Sequence, residues 1–144
     1  MSRFTLFVSA AATKGFFKNN CGFTAYAKTA HGNGGDTGIV AVPPGQTYWA
    51  AYDAQCGGEG VVIKVDNNAA LSHPYQVEYS CRDSRTWYDL SSLDGSPFVT
   101  NRRFVQVGDA GVCPTIFCTY NDKSCEWPVQ KDCHNGGPLA FYLC

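Results

Sequence analysis

Cysteine constrains this chain more than any other residue type, because eight cysteines occur in 144 residues. An even count spread along the chain is typical of a disulfide framework in a protein that works outside the reducing cytosol. Zinc is the alternative, but structural zinc sites usually pair cysteines roughly two to four residues apart, and no CxxC occurs here. The sequence therefore predicts a secreted, extracellular protein in which all eight are bridged: Cys21, Cys56, Cys81, Cys113, Cys118, Cys125, Cys133 and Cys144.

Length and charge exclude several classes of protein. A chain of 144 residues fits one domain with a sizeable core. The 11 basic and 12 acidic residues give a formal net charge of -1, which produces no field to recruit nucleic acid or an anionic membrane. No apolar run is long enough to span a bilayer. We expect a soluble single unit with no nucleic-acid partner.

The N-terminal residues 1–14 fit two interpretations. A charged start followed by apolar and small residues resembles a remnant of a signal peptide, but Arg3–Ser9 would also serve as a first strand. Residues 15–144 are expected to form a single disulfide-stapled β domain.

Strand patterns dominate the rest of the chain. Short β-branched or aromatic runs alternate with clusters of Gly, Pro, Asn and Asp, as in an all-β sandwich or barrel. Tyr75 and Gln76 must face opposite sides of their strand, because side chains alternate with period two. Eight runs predict strands: Phe23–Ala27, Gly38–Val42, Thr47–Tyr52, Val61–Val65, Tyr75–Tyr79, Thr86–Leu90, Phe104–Val107 and Leu139–Leu143.

Four of the eight cysteines fall between Cys113 and Cys133, together with Pro114 and Pro128. Few strand-forming residues occur there, so we expect a disulfide-knit region of short loops or helical turns. Bridges between near neighbours close short loops and therefore hold local shape more than global stability.

Sugar binding needs an aromatic face to stack on a pyranose and polar groups to bind its hydroxyls. The chain supplies both, although most aromatic residues in strands pack inward, so we expect only one or two of the three tryptophans to be accessible. Neighbours such as Tyr48 and Trp49 must face opposite ways, so one of them is core. The candidate glycan-binding residues are Tyr48, Trp49, Tyr52, Arg82, Asp83, Trp87, Asp94 and Trp127.

Three stretches of the chain occur together in one known family. They are Asn19–Phe23 followed by Tyr26, Tyr75–Ser80 followed by Trp87–Gly95 and Pro97–Phe98, and Cys113–Pro114 with Cys118 and the closing Leu139–Cys144. In this combination the chain resembles the thaumatin-like proteins, most closely the small fungal branch that includes a yeast-phase-specific secreted protein.

The resemblance implies a β-sandwich in which the first cysteine pairs with the last, here Cys21 with Cys144. It also implies an acidic cleft associated with β-1,3-glucan binding, to which Glu78, Asp89 and Asp94 correspond by position. The chain departs from larger members in having half the cysteines of a typical plant protein and no match for the arginine of the cleft. The resemblance therefore implies binding more than catalysis.

These observations leave three functional hypotheses. The first is a secreted, lectin-like protein of antifungal defence or interaction with another organism, which binds cell-wall glucan or a partner's glycans. The second is a weak glucan hydrolase in which Glu78 and Asp89 flank the bond at about 5 to 9.5 Å. The third is a secreted effector with a protein target. No cofactor is expected, and His31, His73 and His134 lack metal-ligand spacing, so no metal is expected either. An uncovered edge strand would permit a homodimer.

Overall fold

The structure is a computed structural model that describes residues 12–32, 35–134 and 137–144. Every regular element in these ranges is a strand, so none of them contains a helix that could cross a membrane. The predicted fold class, a mainly β, disulfide-rich sandwich, is confirmed. The alternative strand at Arg3–Ser9 lies outside the described residues. In chain order the strands are β1 (Ala12–Thr13), β2 (Gly15–Asn19), β3 (Ala25–His31), β4 (Val40–Val42), β5 (Thr47–Trp49), β6 (Ala54–Gln55), β7 (Val61–Asp66), β8 (Tyr75–Arg82), β9 (Arg85–Ser91), β10 (Arg103–Val107), β11 (Ile116–Cys118), β12 (Lys131–His134) and β13 (Leu139–Leu143).

Two sheets form the layers of the sandwich. The five-stranded sheet has the order β11-β10-β13-β2-β5, and the six-stranded sheet has the order β12-β9-β8-β7-β3-β4. All neighbouring strands are antiparallel except β13 and β2, which are parallel. Alternate residues of the central strands are buried, and side chains from both sheets, such as Phe17, Phe141, Ile63 and Val77, share one hydrophobic core. The opposite face of each sheet is left for solvent or a ligand.

The eight predicted runs all fall on strands, whereas β2 is not predicted from the sequence. Its short Gly-Phe-Phe-Lys-Asn run begins and ends with residues that disfavour strands. The strand forms because β13 and β5 pair with it on both sides. Gly15 is required at its start, since a Cβ atom there would collide with the Tyr79 hydroxyl. Tertiary pairing therefore overrides local propensity in this strand.

The segment between Cys113 and Cys133 consists mostly of short loops and turns, as predicted, but it also contains two short strands that the sequence does not predict. β11 lies within this segment and pairs with β10, and β12 begins at Lys131 and pairs with β9. Both are short edge strands, and the ladder partner of β12 comes from a distant part of the chain. A propensity argument over three or four residues cannot detect them.

The disulfide between Cys21 and Cys144, implied by the family resemblance, is present. Cys21 follows β2 and Cys144 follows β13, so the parallel pairing of these strands brings the two residues to one end of the sheet, with Cα atoms 5.0 Å apart. A loop of this length gives on the order of 4 to 5 kcal/mol in the chain-entropy model. The other disulfides are Cys56–Cys81, Cys113–Cys133 and Cys118–Cys125.

A buried ion pair ties the cysteine-rich segment to the core. Arg103, at the start of β10, is fully buried, and its Nη1 donates to Glu126 Oε2 at 2.8 Å. Nη2 donates to the carbonyl oxygens of Thr119 at 2.9 Å and Asp122 at 2.6 Å. The Tyr75 hydroxyl donates to the same Glu126 oxygen at 2.6 Å. One guanidinium thus holds three points of the segment that follows β11.

We expect Glu126→Gln to lower the free energy of unfolding by about 3 to 5 kcal/mol, because it leaves the buried Arg103 charge without its carboxylate. Urea unfolding with the disulfides intact measures this value. The matched control is Asp36→Asn, which breaks the exposed Lys28–Asp36 pair, with atoms 2.9 Å apart. That change should cost about 1 kcal/mol or less. Equal losses in the two variants would contradict a special role for Arg103.

Candidate functional site

Two carboxyl groups meet at the centre of the outer face of the six-stranded sheet. Glu78 on β8 lies directly opposite Asp89 on β9. Both side chains point away from the core, because Val77 and Tyr79, the neighbours of Glu78, point into it. The sequence predicts that these two residues meet across neighbouring strands, and the pairing of β8 with β9 brings them together.

Asp89 is the more buried of the two, with 4% of its surface exposed. Burial above all, and then the hydrogen bond and the negative charge of Glu78, raise the pKa of Asp89 from its ordinary value of 3.8 to about 8. Gln130 Nε2, 3.4 Å from Asp89 Oδ2, partly opposes this shift. Asp89 is therefore largely protonated at neutral pH.

Two buried polar atoms at this pair have no hydrogen-bond partner within the described part of the chain. They are Asp89 Oδ1, whose neighbour Glu78 is itself an acceptor when ionised, and Trp87 Nε1. Both residues line a cleft of about 280 Å³, together with Val62, Ser80 and Gln130. A buried polar atom without a partner is costly, so a polar ligand that entered the cleft would gain these bonds.

Cations occupy one end of this face. Arg82, at the end of β8, places its guanidinium carbon 5.9 Å from the centre of the Trp87 ring. Arg85 Nε donates to Asp132 Oδ2 across the β9 and β12 pairing. Both arginines therefore lie beside Trp87, one on its ring and one in an ion pair.

Asp94 lies at the opposite end of the face. Its Oδ2 accepts a hydrogen bond from Gln76 Nε2. Gln76 pairs with Ser91, one outward-facing pair along the ladder from Glu78 and Asp89. Asp94 therefore shares the face with the carboxyl pair but does not touch it.

The other predicted sugar-binding residues do not gather at this site. Tyr48 is buried, and its hydroxyl bonds to Thr29 Oγ1 at 2.7 Å. Tyr52 stacks on His31 at 3.9 Å between ring centres. Asp83 forms the two-residue turn between β8 and β9, with φ of 54°. Trp49 is 54% exposed on the outer face of the other sheet.

The cysteine-rich segment runs along β9, and one of its residues, Gln130, lines the cleft. The Trp127 amide donates to the Leu90 carbonyl at 2.7 Å, and Trp127 is 49% exposed. Gln130 follows three residues later and reaches Asp89. Sequence reasoning missed Gln130, because no local pattern indicates that this segment runs along β9. The described residues contain no group of three or more His, Cys, Asp or Glu arranged for a metal.

The sandwich, its bridge from first to last cysteine and the carboxyl pair on neighbouring central strands define a thaumatin-like protein. The chain belongs to the Blastomyces yeast-phase-specific protein family, which matches residues 4–144. The predicted secreted, extracellular localisation is confirmed by the relatives below and fits the four disulfides.

Two fungal relatives are similar in sequence. The antigenic thaumatin-like protein of Arthroderma benhamiae is 29% identical over 119 residues, which cover 81% of this chain and 60% of that protein. The secreted thaumatin-like protein calA of Emericella nidulans is 32% identical over 101 residues, which cover 67% of this chain and 58% of that protein. The matches thus span about 60% of the length of these curated relatives.

Two solved structures are similar in fold. The protein elicitor MoHrip2 from Magnaporthe oryzae has a TM-score of 0.79 and 26% identity, covering 92% of this chain and 99% of that one. The thaumatin-like xylanase inhibitor TLXI has a TM-score of 0.63 and 17% identity, covering 90% and 98%. The second likeness is one of fold alone.

Asp89 makes stability depend on pH in a predictable direction. Its pKa in the folded state is above that in the unfolded state, so the unfolded state releases the proton first, and stability falls as the pH rises from about 4 to about 8. Asp89→Asn does not titrate. We therefore expect the free energy of unfolding of this variant, relative to wild type, to increase by a few kcal/mol over this window.

Urea unfolding at several pH values between 4 and 8 measures the difference. Asp36→Asn is the control, because the hydrogen bond from Lys28 lowers the pKa of Asp36, so that its difference from wild type should stay constant between pH 4 and 8. Asp36 stabilises the protein above its ordinary pKa, and this contribution is lost as the pH falls. Parallel curves for Asp89→Asn and wild type would contradict the shifted pKa.

Proposed function

We propose that the protein is a secreted carbohydrate-binding protein of defence or interaction, and that its cleft on the six-stranded sheet binds cell-wall β-1,3-glucan. The observation that carries this proposal is the pair of unsatisfied buried atoms, Asp89 Oδ1 and Trp87 Nε1, in one cleft. A sugar hydroxyl both donates and accepts, so neighbouring hydroxyls of one ring satisfy the carboxyl oxygen and the indole N–H together.

The rest of the cleft suits a neutral sugar. The proton on Asp89 leaves the carboxyl pair with less negative charge than two free carboxylates, so a cation is not strongly favoured. Gln130 adds an amide, and Trp87 and Val62 add apolar surface. A cleft of about 280 Å³ is near the lower end of small-molecule sites, which suits one sugar unit of a longer chain.

The geometry supports binding over hydrolysis. A glycosidase needs its two carboxyl groups about 5 to 9.5 Å apart, so that the scissile bond or a water molecule fits between them. Glu78 and Asp89 are directly opposed on neighbouring strands, where paired side chains have Cβ atoms roughly 4.5 to 5.5 Å apart, which is at the short end of this range. A weak hydrolase would require the pair to separate when substrate binds.

A secreted effector that binds a protein target is the second candidate. MoHrip2, which shares 26% identity over nearly the whole chain, is named as a protein elicitor. In that case glycans would not compete with the protein target for the exposed aromatic residues.

Binding of β-1,3-glucan oligosaccharides, followed by calorimetry, tests the proposal. We expect saturable binding by the wild type that weakens about tenfold or more in Trp87→Phe, which keeps a ring but removes the N–H. Asp89→Asn should also weaken binding. Trp49→Ala, on the opposite sheet, is the matched control and should bind like the wild type.

Absence of binding by the folded wild type at millimolar oligosaccharide would refute the proposal and leave the protein-target candidate. Sugar release measured in the same samples separates binding from hydrolysis. Release that is abolished by Glu78→Gln or Asp89→Asn in a folded protein would support the hydrolase, whereas release that survives both variants would exclude this carboxyl pair as its cause.

A further inference from the structure

The outer face of the five-stranded sheet carries a continuous row of aromatic side chains, which we call the aromatic row. Ring contacts join its members in order across all five strands, with centroid distances of 4.7, 6.1, 6.1 and 6.2 Å. The members, one from each of β5, β2, β13, β10 and β11, are Trp49, Phe16, Tyr142, Phe104 and Phe117.

Pairing between strands places these rings. Phe16 lies opposite Trp49, and Phe104 lies opposite both Tyr142 and Phe117. All five point away from the core, because their chain neighbours are the buried residues of the inner face. With strands about 4.8 Å apart, the row runs roughly 19 Å across the sheet.

The aromatic row is narrow for a protein interface. Trp49 is 54% exposed and Phe117 is 47% exposed, while the three rings between them are only partly exposed. The row therefore presents roughly 300–500 Å² of apolar surface, against about 800 Å² per partner in a standard interface. Its shape suits an extended chain better than a second globular surface.

The charges of this face are positive. Lys18 lies opposite Tyr142 on the same side of the sheet, and Arg102 places its guanidinium carbon 6.0 Å from the centre of the Phe117 ring. Neither cation belongs to an ion pair within the described part of the chain. The five strands of this sheet contain no Asp or Glu. The nearby Asp53 is neutralised by Lys14 at 3.3 Å.

A groove lies at the Phe117 end of the row. Its volume is about 350 Å³, which is within the range of sites for small ligands, and it is lined by Arg102, Phe104, Phe117, Tyr142 and Cys144. The groove thus combines stacking surfaces, a phenol hydroxyl and a guanidinium that can bind a carboxylate through two hydrogen bonds.

From these observations we infer that the aromatic row is a second binding site, and that its ligand is a single chain of a linear polysaccharide bearing uronic acid carboxylates. The rings stack on the apolar faces of successive sugars, while Arg102 and Lys18 bind the carboxylates. Interplanar angles between successive rings range from 31° to 90°. This variation fits a twisted single chain and does not fit a flat crystalline surface, which would need coplanar rings.

This site is independent of the glucan cleft. It lies on the other sheet, contains no residue of the cleft and offers cations in place of a carboxyl pair. A failure of glucan binding therefore leaves the inference intact, and a failure of uronate binding leaves the glucan proposal intact.

Calorimetric titration with an oligogalacturonate, and with the same oligosaccharide after its carboxyl groups have been reduced to alcohols, tests the inference. We expect saturable binding of the oligouronate that weakens with added salt, and at least tenfold weaker binding of the reduced chain. The variant Trp49→Ala/Phe117→Ala should weaken the binding of both chains. Lys18→Gln/Arg102→Gln should weaken only the uronate, and so remove the preference for it.

Two control variants isolate the face. Lys64→Gln/Lys131→Gln removes two positive charges from the six-stranded sheet, and Trp87→Phe alters the glucan cleft; both should bind the oligouronate like the wild type. Equal binding of the charged and reduced chains would overturn the inference. So would an equal loss of oligouronate affinity in Lys18→Gln/Arg102→Gln and in Lys64→Gln/Lys131→Gln. A homodimer in light scattering that Trp49→Ala/Phe117→Ala dissociates, without uronate binding by the wild type, would also overturn it and identify the row as a self-association surface.

Discussion

The buried Arg103–Glu126 ion pair positions the part of the molecule that completes the cleft. The cysteine-rich segment has little core of its own, and two disulfides shape it internally or join it to β12. The guanidinium bonds to Thr119, Asp122 and Glu126, so the segment is held against β10. From Glu126 the chain passes directly along β9 and delivers Gln130 to Asp89. The buried charge of Arg103, which lies outside the cleft, thus sets the position of the Gln130 amide, which lines it.

The sandwich separates two kinds of polar chemistry on its two outer faces. The six-stranded sheet carries charges of both signs, with a carboxyl pair at the centre of its outer face in which Asp89 holds a proton because it is buried and close to Glu78. The five-stranded sheet has no acidic residue in its strands and carries aromatic rings with two unpaired cations. Both patterns are possible because side chains alternate with period two. Each sheet turns one set of side chains to the core, and core packing does not restrict the residue types of the outward set. The formal net charge of -1 conceals this asymmetry.

The sequence predicts the elements of this fold better than it predicts their assembly. Alternation along Tyr75–Tyr79 places Glu78 outward, and the family resemblance supplies Asp89 as its neighbour and Cys144 as the partner of Cys21. β2 and β12 escape prediction because partners distant in the chain stabilise them, and β11 escapes it because it has only three residues. The aromatic row also escapes it, since its five residues come from five separate strands. Tyr48 and Trp49 show the limit of local reasoning: alternation states that they face opposite ways, but only the pairing with β2 shows which one is exposed.

The central claim is that a sugar enters the cleft between Trp87 and the carboxyl pair. The three tryptophans lie at three different places, so their indole N–H signals in an NMR titration report on the glucan cleft, the aromatic row and the cysteine-rich segment separately. With a β-1,3-glucan oligosaccharide, we predict a large, saturable shift of the Trp87 signal, because Nε1 gains an acceptor, and no shift of the Trp49 signal. An unchanged Trp87 signal at millimolar oligosaccharide would contradict the account.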